Sequence, residues 1–519
     1  MAGSSRPNPM QSEASVARGA AALYAANIVT LLLNTLYLVL LTNYVSLAEV
    51  GLVSLLNVVV VGVATISVLA LPLSGTGISA TPPAVTRFIT QYLGGQGSAR
   101  RVYLLSLVLC ATISSFIAVF LSYPPVAGAV AGSLQTGPVL FAALDSVAYS
   151  FAQLGGYSLL GSGRATTAGK LMVTSSVLRY LFASILLIGG YGPSGVFIGF
   201  LLGDLTMALI ANGTSFRIVQ AAARSSMPLR PVASYMASVF VAAIVGLGVS
   251  QTDKLLAFFS QGLGNLALYN VAAVGAALAS FAPNAATNVL VPALSGYDSA
   301  DKKRQTLKNY TRYITLAASP MGFGLAAVSP FLLRIFGDSY VAGAPLMAAI
   351  SLSIALTAVT SVYASILLVD DRAHHFTLSS MVGLAVLVVI ALTTVPYLGL
   401  MGIALGRSAM LFVMLGLIAF FVRRVGMLVV DWPALAKSMG SSALMAVVVF
   451  AVLELSTQML PLGRAGTVAA TVVMIPVGLS VYVVAMRLLH AFTKSDVDFV
   501  ETLLPSWMRW FASFARRLA

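Results

Sequence analysis

The sequence predicts an all-α polytopic membrane protein of about fourteen transmembrane helices. Two six-helix lobes related by pseudo-twofold symmetry are expected, followed by two extra C-terminal helices. Three observations lead there. Of 519 residues, 59% are hydrophobic and only 8% charged, whereas a soluble chain carries roughly 25% charged residues to cover its surface. Continuous apolar runs of about 20 residues, the length of a bilayer span, recur along the chain. They do not alternate as barrel strands would. Finally, landmarks of the first half return in the second.

Taken in order, residues 1–19 form a polar tail. The apolar run from 20 to 43 is too long for the roughly 7–15-residue core of a signal peptide and reads as the first span. Spans follow near 48–72, 102–122, 138–160, 170–190, 194–213, 232–257 and 266–292. The remainder lie near 313–334, 341–369, 376–396, 399–421, 437–456 and 465–488. After them "SDVDFVETLLPSWMRWFASFARRLA" sets Trp507, Trp510 and Phe514 beside Arg509, Arg516 and Arg517, which suits a helix lying in the membrane interface. The expected organisation is therefore a tail (1–19), a first lobe with its following loop (20–231), a second lobe (232–425), two further spans (426–488) and an interfacial segment (489–519).

Net charge is +14. The excess is concentrated in alternate loops. Segments 84–101, 161–170, 214–231, 297–312 and 422–437 are basic, while "YPPVAGAVAGSLQTG" and "GGYGPSG" between them carry no charge. By the positive-inside rule the basic side, and both termini, are cytoplasmic. The alternation also supports an even span count.

"LLGSGRATTAG" (159–169) recurs as "LLVDDRAHHFT" (367–377), with Leu-Leu and Arg-Ala in register at an offset of 208. Gly192, Gly195 and Gly199 fall opposite Gly399, Gly402 and Gly406, offset by 207. A fainter match joins "SLAEVGLVSLL" (46–56) to "GLGNLALYNVA" (262–272). Spans one to six and seven to twelve read as two copies of the same orientation, the plan of transporters that bind cargo between halves and rock one against the other.

These residues resemble a known family. "QTDKLLAFFSQGLGNLALYNVAAVGAALASF", "LVPALSGY", "FGDSYVAGAPL" and "YLGLMGIALG", with "AVTRFITQYLGG" in the first half, are similar to the polysaccharide-transporter branch of the multidrug/oligosaccharidyl-lipid/polysaccharide (MOP) flippase superfamily, the O-antigen-flippase-like polysaccharide biosynthesis proteins. The resemblance covers about residues 20–425. It implies two lobes around a central cavity, and a polyprenyl- or dolichyl-linked oligosaccharide as cargo, moved by alternating access with Na⁺, H⁺ or membrane potential as drivers to be tested.

A charge near the bilayer centre costs at least about 2.5–3.5 kcal/mol, so it faces a cavity or a partner. The candidates are Asp145, Arg179, Asp204, Asp253, Lys254 and Arg407. A phosphate-bearing lipid head crossing a low-dielectric layer needs charge-assisted hydrogen bonds. Arg179 and Arg407 are the first choices to supply them, then Lys254, while the resemblance adds Arg87 at the cytoplasmic mouth. Asp253 resembles an acidic residue the family carries in span seven, and with Asp204 or Asp145 is the candidate for loading a coupling cation. The plainer alternative is a structural ion pair, Arg179 with Asp145 or Asp204.

Other signals lead nowhere. "VDDRAHH" places His374 and His375 about 100° apart on a helix, a solvated turn and not a zinc ligand set. The single Cys110 allows no disulfide within the chain. "GRATTAGKL" misses the phosphate-loop spacing and its Ser/Thr. No cofactor, metal or nucleic acid is expected, and the chain is read as a monomeric transporter, not an enzyme. A multidrug antiporter on the same fold is the second reading. A membrane glycosyltransferase is a remote third, because the outer loops are short and nearly uncharged.

Overall fold

The computed structural model describes residues 9–69, 84–93, 98–132, 134, 136–220, 229–280, 283–284, 290, 294, 297, 299–370, 372–459 and 463–490. Among them there are helices and no strands. The interfacial segment expected at 489–519 lies, beyond His490, outside the described residues.

The helices are α1 (Pro9–Tyr44), α2 (Leu47–Val68), α3 (Ala84–Gln91), α4 (Ala99–Ser122), α5 (Pro124–Ala131), α6 (Gly137–Gly161), α7 (Ala165–Ile188) and α8 (Gly192–Gln220). Then come α9 (Leu229–Ala277), α10 (Ala300–Leu333), α11 (Ala344–Leu356), α12 (Thr360–Val369), α13 (Ala373–Leu398), α14 (Leu400–Arg424), α15 (Trp432–Met459) and α16 (Arg464–Leu488). Two compact units result, Met1–Asn270 and Val271–Ala519.

Thirteen of the described helices are long and apolar enough to cross a membrane, against fourteen expected spans. The difference lies in α9. At 1.5 Å per residue a 49-residue helix would run about 73 Å, more than two hydrocarbon cores of about 30 Å. The backbone breaks at Gly262 (φ 78°), so the element is two helices joined at a sharp bend. They are expected span seven and the described part of span eight. Span ten departs the other way. It divides into α11 and α12 where Thr357 donates back to the Ser353 carbonyl (2.6 Å) and Ser353 to that of Ala349 (2.7 Å). Such back-bonding competes with the helical ladder and bends it.

In the first unit α2 and α6 are interior helices: 72% of their apolar stretch is buried, against 28% for α7. Ser46 starts α2 with a capping box, its backbone N–H donating to Glu49 (2.8 Å), which gives that terminal carboxylate a local structural use. Helices α6, α7 and α8 pack together through small residues such as Ala152, Ala168, Ala208 and Ala211. Close approach of this kind drives helix association in lipid. In the second unit α10 packs on α11 and α15, and α13 on α14. Large side chains left outside, Phe116 and Val119 among them at 73% and 72% exposed, suit hydrocarbon and not water.

Helix-end hydrogen bonds recur at the offset seen in the sequence. Arg164 N–H donates to Leu159 O (2.9 Å) and Arg372 N–H to Leu367 O (2.8 Å); Ser162 donates to Ser158 and Asp370 to Ile366, both at 3.0 Å. Each pair repeats at the offset of 208. Gly192 and Gly399 share a left-handed φ of 54° and 55°. A Cβ at Gly199 would collide with the Ala183 backbone, and one at Gly406 would stand 2.9 Å from Leu387 O and 3.3 Å from Ala391 N.

Candidate functional site

Three of the sequence-predicted charges meet in the first unit. Arg179, midway along α7, donates through Nη1 to Asp204 Oδ2 on α8 at 2.7 Å, and its Nη2 lies 4.0 Å from Asp145 Oδ2 on α6. The alternative read from the sequence is an ion pair of Arg179 with Asp145 or Asp204; the structure places the guanidinium within 4.0 Å of both carboxylates. Asp145 is fully buried, Asp204 nearly so, and the Arg179 side chain is 11% exposed. Neither oxygen of Asp145 accepts a hydrogen bond among the described residues. Ser175 donates to the second oxygen of Asp204 (3.3 Å), while Arg179 Nη2 also reaches Asn57 Oδ1 on α2 (3.4 Å).

Aromatic rings complete the setting. The guanidinium carbon lies 3.9 Å from the Phe200 ring centre and 5.3 Å from that of Tyr149, within the range of cation–π attraction. Tyr180 stacks on Tyr37 (5.2 Å) and donates to Asn34 on α1 (3.2 Å). Helices α1, α2, α6 and α8 thus surround α7 at the level of Arg179. Fully ionised, two carboxylates and one guanidinium carry a formal charge of −1, a charge that one bound cation would neutralise. Sequence reasoning missed Asn57, Ser175 and Phe200. Asn57 alone left a trace, as a polar residue in the run "SLLNVVVV".

The remaining candidates sit elsewhere. Asp253, buried on the first arm of α9, accepts from the Tyr269 hydroxyl on the second arm (2.9 Å), so it ties the bend at Gly262 together. Lys254 beside it is half-buried. Arg87 lies on α3, its guanidinium 4.2 Å from the Tyr235 ring centre. Thr86 and Thr90 fasten α3 to the Tyr157 and Gly161 carbonyls at the end of α6 (2.9 and 2.8 Å). Arg407 is half-buried on α14, in the second unit. Among the described residues no cluster of three or more His, Cys, Asp or Glu side chains is placed to hold a metal. His375 instead stacks on Phe421 at 4.2 Å.

Residues 95–345 match the family model described as "Polysaccharide biosynthesis protein". No curated protein matches the sequence. Among solved structures, the lipid II flippase MurJ in an inward closed conformation aligns with a TM-score of 0.65 at 13% identity, over 90% of this chain and 98% of its own. An inward-facing MATE-family multidrug resistance transporter of the MOP superfamily gives 0.63 at 16%, over 78% and 98%. A single-site mutant of the Vibrio cholerae MATE transporter VcmN gives 0.59 at 13%, over 80% and 98%. The fold is the one these structures share. The matched family model and the fold agree with the resemblance carried by "YLGLMGIALG" and its companions, and thirteen described helices long and apolar enough to cross a membrane make the chain a multi-pass membrane protein.

Proposed function

We propose that this chain is a flippase that moves a lipid-linked oligosaccharide, on a polyprenyl- or dolichyl-(di)phosphate carrier, across the cytoplasmic membrane by alternating access. The basic loops and both termini face the cytoplasm, and the protein acts as a monomer. The observation that carries this reading is the match of residues 95–345 to a polysaccharide biosynthesis family. The longer reach of the MurJ likeness, 90% of the chain against 78–80% for the MATE structures, supports it.

In this reading Arg87 meets the charged head at the cytoplasmic mouth, and Arg407 and Lys254 accompany it through the low-dielectric layer. Arg179 joins them conditionally. Asp204 holds it at 2.7 Å; Na⁺ or H⁺ taken up by Asp145 and Asp204 neutralises that hold and frees the guanidinium for phosphate. Asp253 stays as the tie across the α9 bend and influences coupling through the bend.

Deleting the gene and extracting lipids tests the cargo. Sugar-loaded carrier should accumulate on the cytoplasmic leaflet; carriers at normal levels, undecorated, would overturn the reading. Transport into vesicles that ignores ion gradients and membrane potential would remove the coupling step alone. The second reading, a multidrug antiporter, draws on the buried acidic residues and the MATE neighbours. It predicts ion-driven export of organic cations by the purified protein and no carrier phenotype.

A further inference from the structure

Away from the charge cluster, in the second unit, α10, α12 and α14 converge with the 425–431 connection on a cavity of about 260 Å³. Val359, Leu415, Ala419 and Leu428 supply apolar walls. Three polar groups interrupt them. Thr311 is 4% exposed, its hydroxyl interacting with that of the neighbouring Tyr363. Arg312 Nη1 and Asp431 Oδ2 form an ion pair at 3.0 Å. Asp431 also accepts from the Ala434 N–H (3.1 Å) at the start of α15, and the neighbouring Tyr363 hydroxyl is spent on the Val429 carbonyl (2.9 Å). Trp432, also in the lining, is 67% exposed, so this wall reaches the molecular surface.

We infer that this cavity is a binding site for a bilayer phospholipid, with one acyl chain inside and the head at the Arg312–Asp431 pair. Protein interiors are close-packed, and voids of this size between helices are costly to leave empty. Apolar walls exclude water and favour a hydrocarbon occupant. The ion pair is neutral overall, so it offers a donor and an acceptor to a zwitterionic head but no surplus positive charge for a polyprenyl phosphate. Location agrees: α10 begins, α14 ends and α15 begins at the basic end of the bundle, and Trp residues settle at headgroup level. This inference is independent of the cargo assigned above.

The test uses full-length protein with Trp507→Phe and Trp510→Phe, leaving Trp432 as the sole indole of the chain's three Trp. It is titrated in mild detergent with phosphatidylethanolamine brominated near the carbonyl end of its chains. Saturable quenching at one lipid per chain is expected, matched by one retained phospholipid in native mass spectrometry. Ala419→Phe, which fills the cavity, should weaken this binding at least about tenfold. Arg312→Gln with Asp431→Asn, which removes the head's charged partners together and nearly keeps their volume, should weaken it with little change in unfolding temperature, which separates the site from misfolding. Non-saturable quenching, or binding equal in wild type and Ala419→Phe, would overturn the proposal. Preferential displacement by equimolar polyprenyl phosphate would overturn it too, by assigning the cavity to the cargo's carrier.

Discussion

The two copies of the repeat differ in charge along helices whose sequence landmarks keep nearly one offset. In the first copy α6, α7 and α8 carry Asp145, Arg179 and Asp204 around one buried guanidinium. At the repeat offsets the second copy has Ser353, Leu387 and Leu411. Leu387 is fully buried, and Ser353 donates back to its own helix while bonding Ser408 at 2.6 Å. Phe200, whose ring lies against Arg179, becomes Arg407. One repeat plan therefore carries Asp, Arg and Asp in one copy and Ser, Leu and Leu in the other, with Arg407 in place of Phe200. Fold alone does not require the charges, which turns attention to function as the reason they are there.

The largest effect should come from making the first copy like the second. Asp145→Ser, Arg179→Leu and Asp204→Leu together should abolish transport. Stability should stay within about 1–2 kcal/mol of wild type, because replacing a whole buried ion cluster by apolar groups is often neutral or stabilising. Transport in vesicles and thermal unfolding read the two arms. A triple variant that still transports would make the cluster a bystander. Asp204→Leu alone should be worse for folding than the triple, losing on the order of 3–5 kcal/mol, since Arg179 then keeps only the carboxylate 4.0 Å away. Equal stability of single and triple variants would show that Arg179 is solvated and not held.

Next come the helix crossings that both copies share. Gly199→Ala drives a methyl into the Ala183 backbone, and Gly406→Ala meets Leu387 O at 2.9 Å. Overpacking of this kind costs roughly 1–3 kcal/mol. The first substitution should destabilise more than the second, in the order of the two clearances. The reverse order in a thermal-unfolding series would mean that the copies are not packed alike.

These contrasts also explain what could be read in advance. Span positions and loop charges were legible because hydrocarbon imposes length and apolarity residue by residue. The bend in α9 was less so. "SQGLGN" signals a turn, yet two spans were separated there without showing that Tyr269 would reach back to Asp253. The break in span ten depended on hydroxyls at Ser353 and Thr357 turning onto carbonyls, a choice that an apolar-run reading does not register. In the candidate site every ionisable residue stood out in the sequence, and so did the pairing alternative. What stayed hidden was the surrounding shell. Asn57 is 122 residues from Arg179 in sequence, and only helix packing makes them neighbours.

The smallest effect concerns a single hydrogen bond. The faint match of 46–56 with 262–272 has an offset of 216, and at that offset Ser54 stands opposite Asn270. Those two residues bond each other, Asn270 Nδ2 donating to Ser54 Oγ at 3.0 Å. Both lie in the first unit, where the bond joins α2 to the second arm of α9. Ser54→Ala and Asn270→Ala should each cost about 0.5–1.5 kcal/mol, with a double-mutant coupling of about 1 kcal/mol. The control is Ser150→Ala, whose hydroxyl bonds the Ser146 carbonyl within α6 and not a repeat equivalent. Combined with Asn270→Ala it should show no coupling. Coupling of the control as large as that of Ser54 would reduce the pair to general softness of the unit.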